Sequence, residues 1–144
     1  MEPKDMGRVT EEILVENMSD LCLVQAGHLT VEQVRRIVIP DALADTGATL
    51  LSLPASVVRQ LGLPEISRKR VVASSGLTDA RLCGPVRLTI QGRFCTMDVL
   101  EVPDGVPALI GQLPLEHLDF VVDLRNRKLI GNPAHNGEHV YEMY

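Results

Sequence analysis

Apolar residues come along this chain in short runs broken by Gly, Pro, Asn, Asp and Ser, a spacing that predicts strands more than helices. The first predicted strand covers residues 11–16. It ends at the turn-rich Asn17-Met18-Ser19-Asp20, and residues 21–25 are expected to return as its hairpin partner. Residues 34–39 are rich in β-branched side chains. Pro40 cannot donate to a ladder, so that strand is expected to end or bend there before Ala42-Leu43-Ala44. Further strands are predicted over residues 69–73, 81–91 and 94–102, with Gln91-Gly92-Arg93 as a hairpin turn. Residues 121–123 and 128–130 form one more candidate pair. Residues 132–138 read as turn, and 140–144 as a terminal strand. The stronger of two helices spans 54–61. Pro54 suits the first helical position, Gly62 lies just past the end with Pro64 beyond it, and Leu53, Val57 and Leu61 make one apolar stripe. A weaker helix runs over 114–118. The pattern predicts an all-β fold with one or two short helices in a single domain, 1–144. Residues 1–33 are expected as an N-terminal hairpin extension and 131–144 as a C-terminal tail.

Composition narrows the class. At 144 residues the chain suits one domain with a real core, and 45% hydrophobic with 23% charged residues is ordinary globular usage. Trp is absent and Phe and Tyr number two each, so aliphatic side chains have to carry the packing. The net charge of −5 gives no reason to expect a nucleic-acid partner. The basic clusters Arg35-Arg36, Arg68-Lys69-Arg70 and Arg125 with Arg127-Lys128 are short and read as solvated turns or strand faces. Cys22, Cys83 and Cys95 show neither metal-ligand spacing nor a CxxC pair, which fits a reduced setting. The first residues lack the apolar core of a signal peptide, and no run is long enough to span a bilayer. A cytoplasmic protein with no membrane partner is expected.

The candidate chemistry centres on Asp45-Thr46-Gly47-Ala48-Thr49, preceded by Ala42-Leu43-Ala44 and followed by Leu50-Leu51. A carboxylate at the mouth of an apolar strand is costly without a purpose. Gly47 lets the backbone turn sharply and lets an amide approach that carboxylate, and Thr46 offers a hydroxyl that can bond to another chain segment. The plain alternative is an Asp-Gly turn between strands. A second motif, Ala108-Leu109-Ile110-Gly111, stands just before the 114–118 helix. By itself it reads as a buried strand and a tight corner. The two motifs in this order are far more specific than either alone.

At these residues the sequence resembles the retropepsin-like aspartic proteases, over most of its length from about Val34 to Ile130. The resemblance implies a closed retropepsin-like β-barrel with one lobe per chain. It implies Asp45 as the catalytic residue, Thr46, Gly47 and Ala48 as its supporting loop, and Leu109, Ile110 and Gly111 as the strand behind it. It also implies a β-hairpin flap over residues 71–80, with Ser74, Ser75 and Gly76 near the tip to contact a peptide or protein substrate. The run from Leu50 to Pro64, and Asn132-Pro133 with His135, look like the small bacterial members. The helix after the catalytic loop and both chain ends depart from the retroviral pattern.

Amide hydrolysis by carboxylates needs one group to take a proton from water and another to polarise the carbonyl, and two carboxyls in contact share a proton. The chain holds a single Asp-Thr-Gly, since Asp104-Gly105 lacks the hydroxyl residue. A homodimer is therefore expected, with a second Asp45 across a two-fold axis. Ala48 has no hydroxyl to donate to the carboxylate, so activity is expected to peak at mildly rather than strongly acidic pH. No cofactor and no metal are expected: His28, His117, His135 and His139 are scattered and read as surface or satisfied side chains. Ser74-Ser75 has no His-Asp setting of a nucleophile, and Asp119 and Asp123 read as strand ends. Two other readings stay open, a dimeric binding or regulatory module with little or no proteolysis, and a structural subunit pairing with a different partner.

Overall fold

The computed structural model describes residues 8–143. Strand β1 (Val9–Asn17) buries Val9, Ile13 and Val15, the alternation of a strand with one face on a core. Helix α1 (Met18–Gln25) follows at once, so residues 21–25 are helical and not the second arm of a hairpin. Asn17 decides this. Its side-chain oxygen accepts from the Asp20 N–H at 3.0 Å and caps the first turn, while its amide donates to Leu61 O at 2.9 Å. Asp20 is buried in that turn and takes Nε and Nη2 of Arg35, each at 2.9 Å. The helix is anchored by its start and carries no apolar stripe, which is why its spacing was silent.

A 3-10 turn (Val31–Gln33) leads into β2 (Arg36–Ala44), which runs on through Pro40. Glu11 pairs with Ala42 and Ile13 with Ile39, leaving one extra residue on β2 at Pro40-Asp41. That bulge is the bend expected there, because proline brings no N–H to the ladder. The chain continues through β3 (Leu51–Pro54), α2 (Ala55–Gln60), β4 (Glu65–Ala73), β5 (Gly76–Ile90), β6 (Arg93–Val102), β7 (Leu109–Ile110), α3 (Gln112–His117), β8 (Phe120–Asp123) and β9 (Lys128–Gly131), closing with a 3-10 turn over Pro133–His135. Pro54 takes the cap position of α2 instead of its first turn, and Asp104 supplies the missing cap by accepting from the Ser56 N–H at 2.9 Å. Gln91 and Gly92, both at positive φ, make the two-residue turn that joins β5 to β6.

The large sheet runs β1-β2-β7-β3-β6-β5-β4, and β1 pairs also with β5. Six strands thus close into a barrel, with β4 attached outside it. The expected N-terminal extension is corrected accordingly: β1 is a barrel strand with a partner on each edge. β8 and β9 form a separate two-stranded sheet. The core is aliphatic, with Ile13, Leu51, Leu53, Leu88, Ile90 and Ile110 fully buried and Phe120 beside them. Residues 140–143 form no strand, contrary to expectation, and Tyr144 lies outside the described residues. Among the described residues, no helix is long and apolar enough to cross a membrane.

Candidate active site

The loop between β2 and β3 carries Asp45, Thr46, Gly47 and Ala48, and β7 is inserted between those same two strands, parallel to β2 and antiparallel to β3. The loop is therefore clasped to the strand it arches over. The Asp45 N–H donates to Ile110 O at 2.9 Å, and the Gly111 N–H donates to Leu50 O at 3.1 Å. The first N–H groups of α3 are satisfied by the same loop, Gln112 to Ala48 O at 2.8 Å and Leu113 to Thr49 O at 2.9 Å. Leu109, Ile110 and Gly111, far from Asp45 in sequence, thus form the seat of the Asp45 loop.

Gly111 has to be glycine for room. A Cβ there would lie 2.5 Å from Leu50 O, 2.7 Å from the Thr49 carbonyl carbon and 2.8 Å from Ala48 O. Within the loop, the Gly47 N–H donates to Asp45 Oδ1 at 2.9 Å and the Ala48 N–H to Asp45 O at 3.1 Å. A Cβ on Gly47 would come within 3.2 Å of that carboxylate oxygen, so the glycine permits the approach of the amide. Asp45 and Ala48 are partly buried, whereas Thr46 and Gly47 are exposed. The result is one rigid carboxylate, held by backbone and presented at a surface.

β4 and β5 form the expected hairpin. Ala73 pairs with Gly76 across the exposed Ser74-Ser75 turn, and Gly76 sits at a φ of 110°. A groove of about 490 Å³ lies between this hairpin and the end of β6, lined in part by Val71, Ala73, Ser75, Ala80, Leu100 and Val102. Asp45 is not part of that lining. One chain thus brings the Asp45 loop and the Leu109-Ile110-Gly111 strand together, and places the hairpin over a neighbouring groove.

Two clusters escaped sequence reading. Arg81 donates from Nε to Glu65 Oε1 at 2.8 Å and from Nη1 to Glu101 Oε2 at 2.7 Å. Arg81 stands in a strand that also carries Asp79 and Arg87, so the sequence pattern gives no sign of these partners. Asp119 and His135 also meet, with His135 Nδ1 at 2.6 Å from Asp119 Oδ2. Burial alone would push the Asp119 carboxyl up, but hydrogen bonds from His135, the Val140 N–H and Asn132 hold it below the ordinary value. Asp119 and, more weakly, Glu142 raise His135. The Cys83 thiol reaches the Arg81 cluster, its Sγ 3.9 Å from Glu101 Oε2, and burial raises it; burial pushes Cys95 up to about 11. Among the described residues, no group of three or more His, Cys, Asp and Glu is placed to hold a metal ion. A scan against protein-family models and a search of curated proteins both find no match to the chain.

Proposed function

We propose that this chain is one half of a retropepsin-like aspartic endopeptidase, completed by a second copy that brings its own Asp45. The observation that carries the reading is the clasp between the two motifs. A carboxylate loop bonded residue by residue to Leu109-Ile110-Gly111 and α3, with a glycine required at the crossing, is more order than an Asp-Gly turn needs. The exposure of Thr46 and Gly47 supports a shared site, because that edge of the loop is open to a partner. The groove beside the β4–β5 hairpin supports an extended peptide as substrate.

In the dimer, two Asp45 carboxyls in contact share one proton, since both cannot ionise side by side. The ionised Asp45 takes a proton from water as the oxygen attacks the scissile carbonyl carbon. The protonated Asp45 donates to the carbonyl oxygen. The roles then reverse as the amine leaves carrying a proton. Gly47 N–H holds Oδ1 in place through these steps.

The test is peptide-library cleavage by the wild type and by Asp45→Asn, with solution mass measured alongside. The variant is expected to lose activity by at least about a thousandfold while folding normally, the scale on which catalytic groups are lost. Equal cleavage by Asp45→Asn would remove the catalytic role. Full activity in a strict monomer would remove the shared site.

A further inference from the structure

The β4–β5 hairpin leaves the barrel where β5 parts from β6. The last β5–β6 pairs on that side are Cys83 with Val99 and Leu82 with Leu100. β6 then runs on beside β3, pairing Glu101 with Leu53 and Val102 with Pro54. β5 instead continues as a hairpin arm paired only to β4, from Arg81 opposite Arg68 to Gly76 opposite Ala73. The strands therefore fork, and the groove of about 490 Å³ occupies the fork, with Val71, Ala73 and Ala80 on the hairpin side and Leu100 and Val102 on the β6 side.

Arg81 is the first residue of the hairpin arm beyond the fork. Its two carboxylate partners lie on opposite sides of it: Glu65 belongs to the root of the hairpin itself, and Glu101 belongs to β6. No other side-chain hydrogen bond or ion pair among the described residues ties residues 66–81 to β6. Arg81 and Glu101 both line the groove, so this bond spans it from the hairpin to β6.

We infer that Arg81 is a positioning residue: through Glu101 it tethers the hairpin to β6 and sets the width of the groove. The catalytic consequence rests on the peptidase reading above, whereas the tether stands on the geometry alone. Arg81 is 39% exposed and Glu101 16%, so the pair is partly screened. A partly screened pair holds the hairpin in register yet gives way when an extended chain has to enter beneath it. Glu65 does a different job, because it joins Arg81 to a strand that is already its ladder partner.

The experiment compares Glu101→Gln with Glu65→Gln in the full chain, reading amide exchange across residues 71–79 and the separate kcat and KM of peptide cleavage. Glu101→Gln is expected to speed hairpin exchange about three- to tenfold and raise KM by a similar factor, the scale of a partly exposed ion pair, with kcat and the pH–rate profile unchanged. Glu65→Gln is expected to leave both within about twofold. Salt near 1 M should speed exchange in the wild type and add nothing in Glu101→Gln. The double variant Arg81→Gln/Glu101→Gln should match Glu101→Gln alone. Unchanged exchange in Glu101→Gln, an equal rise in Glu65→Gln, or additive losses in the double variant would each overturn the tether. A wild type that exchanges as expected but cleaves nothing would remove the peptidase reading and leave the tether standing.

Discussion

A methyl group at position 111 has no room. The backbone there is extended, at φ −82°, so conformational freedom is not the reason for glycine; the carbonyls of Ala48 and Leu50 simply lie too close. Gly111→Ala is expected to cost about 3 kcal/mol in denaturant unfolding, at the upper end of overpacking penalties. It should also abolish peptide cleavage, because the loop that would move carries Asp45. Leu88→Ala provides the contrast. Leu88 is fully buried in the barrel, and its truncation should cost about 2–5 kcal/mol through the cavity it leaves. Cleavage by the folded fraction of that variant should stay near wild type. If both variants lose activity only in proportion to their stability, Gly111 is a packing residue and no more. The backbone demands at Gly47 and Gly111 were legible at this scale because a glycine marks positions where only that size fits. Arg81 and Asp119 were not, because an ion pair has no local signature.

Among the elements, both predicted helices and most predicted strands stand. Short apolar runs bounded by turn residues placed β5, β6, β8 and β9, and the Gln91-Gly92 turn fell where the sequence predicted it. α1 was misread because its helicity comes from the Asn17 cap and the Asp20–Arg35 pair, while its apolar residues show no helical stripe. The tail after β9 was misread for a related reason. Residues 139–142 make no ladder; they fold back on the end of α3, with the Val140 N–H donating to Asp119 Oδ2 at 3.1 Å and His139 Nε2 lying 3.0 Å from His117 O. This attachment depends on pH. His135 is raised above its ordinary value of 6.5, so its contribution is complete below that pH and is lost as pH rises through the raised value. Asp119 is held below its ordinary value of 3.8, so its contribution is present above that pH and is lost as pH falls through the lowered value. His135→Ala is therefore expected to lower Tm most at about pH 5 and least at about pH 8.5. A difference in Tm that grows toward alkaline pH would contradict the charged His135–Asp119 pair.

Each chain carries one Asp45 in an Asp-Thr-Gly loop, and the proposed site needs a second. If activity needs two copies, specific activity should rise with protein concentration and level off as the dimer saturates. Excess Asp45→Asn chain mixed with wild type should poison it, since mixed pairs hold a single ionisable partner. A specific activity independent of dilution, with no inhibition by the variant, would mean that each chain works alone. The local pattern of the sequence was enough to determine the mainly strand character, the aliphatic core, the turn at Gln91-Gly92 and the candidacy of Asp45 with Gly111, because apolar spacing, residue size and backbone freedom act over a few neighbouring positions. Only the tertiary structure decided that β1 closes the barrel between β2 and β5, that β7 enters between β2 and β3 beneath Asp45, and that β5 forks from β6 at Arg81. Those features arise from pairings between residues far apart in the chain, where which strand edge meets which is settled by how the whole core packs.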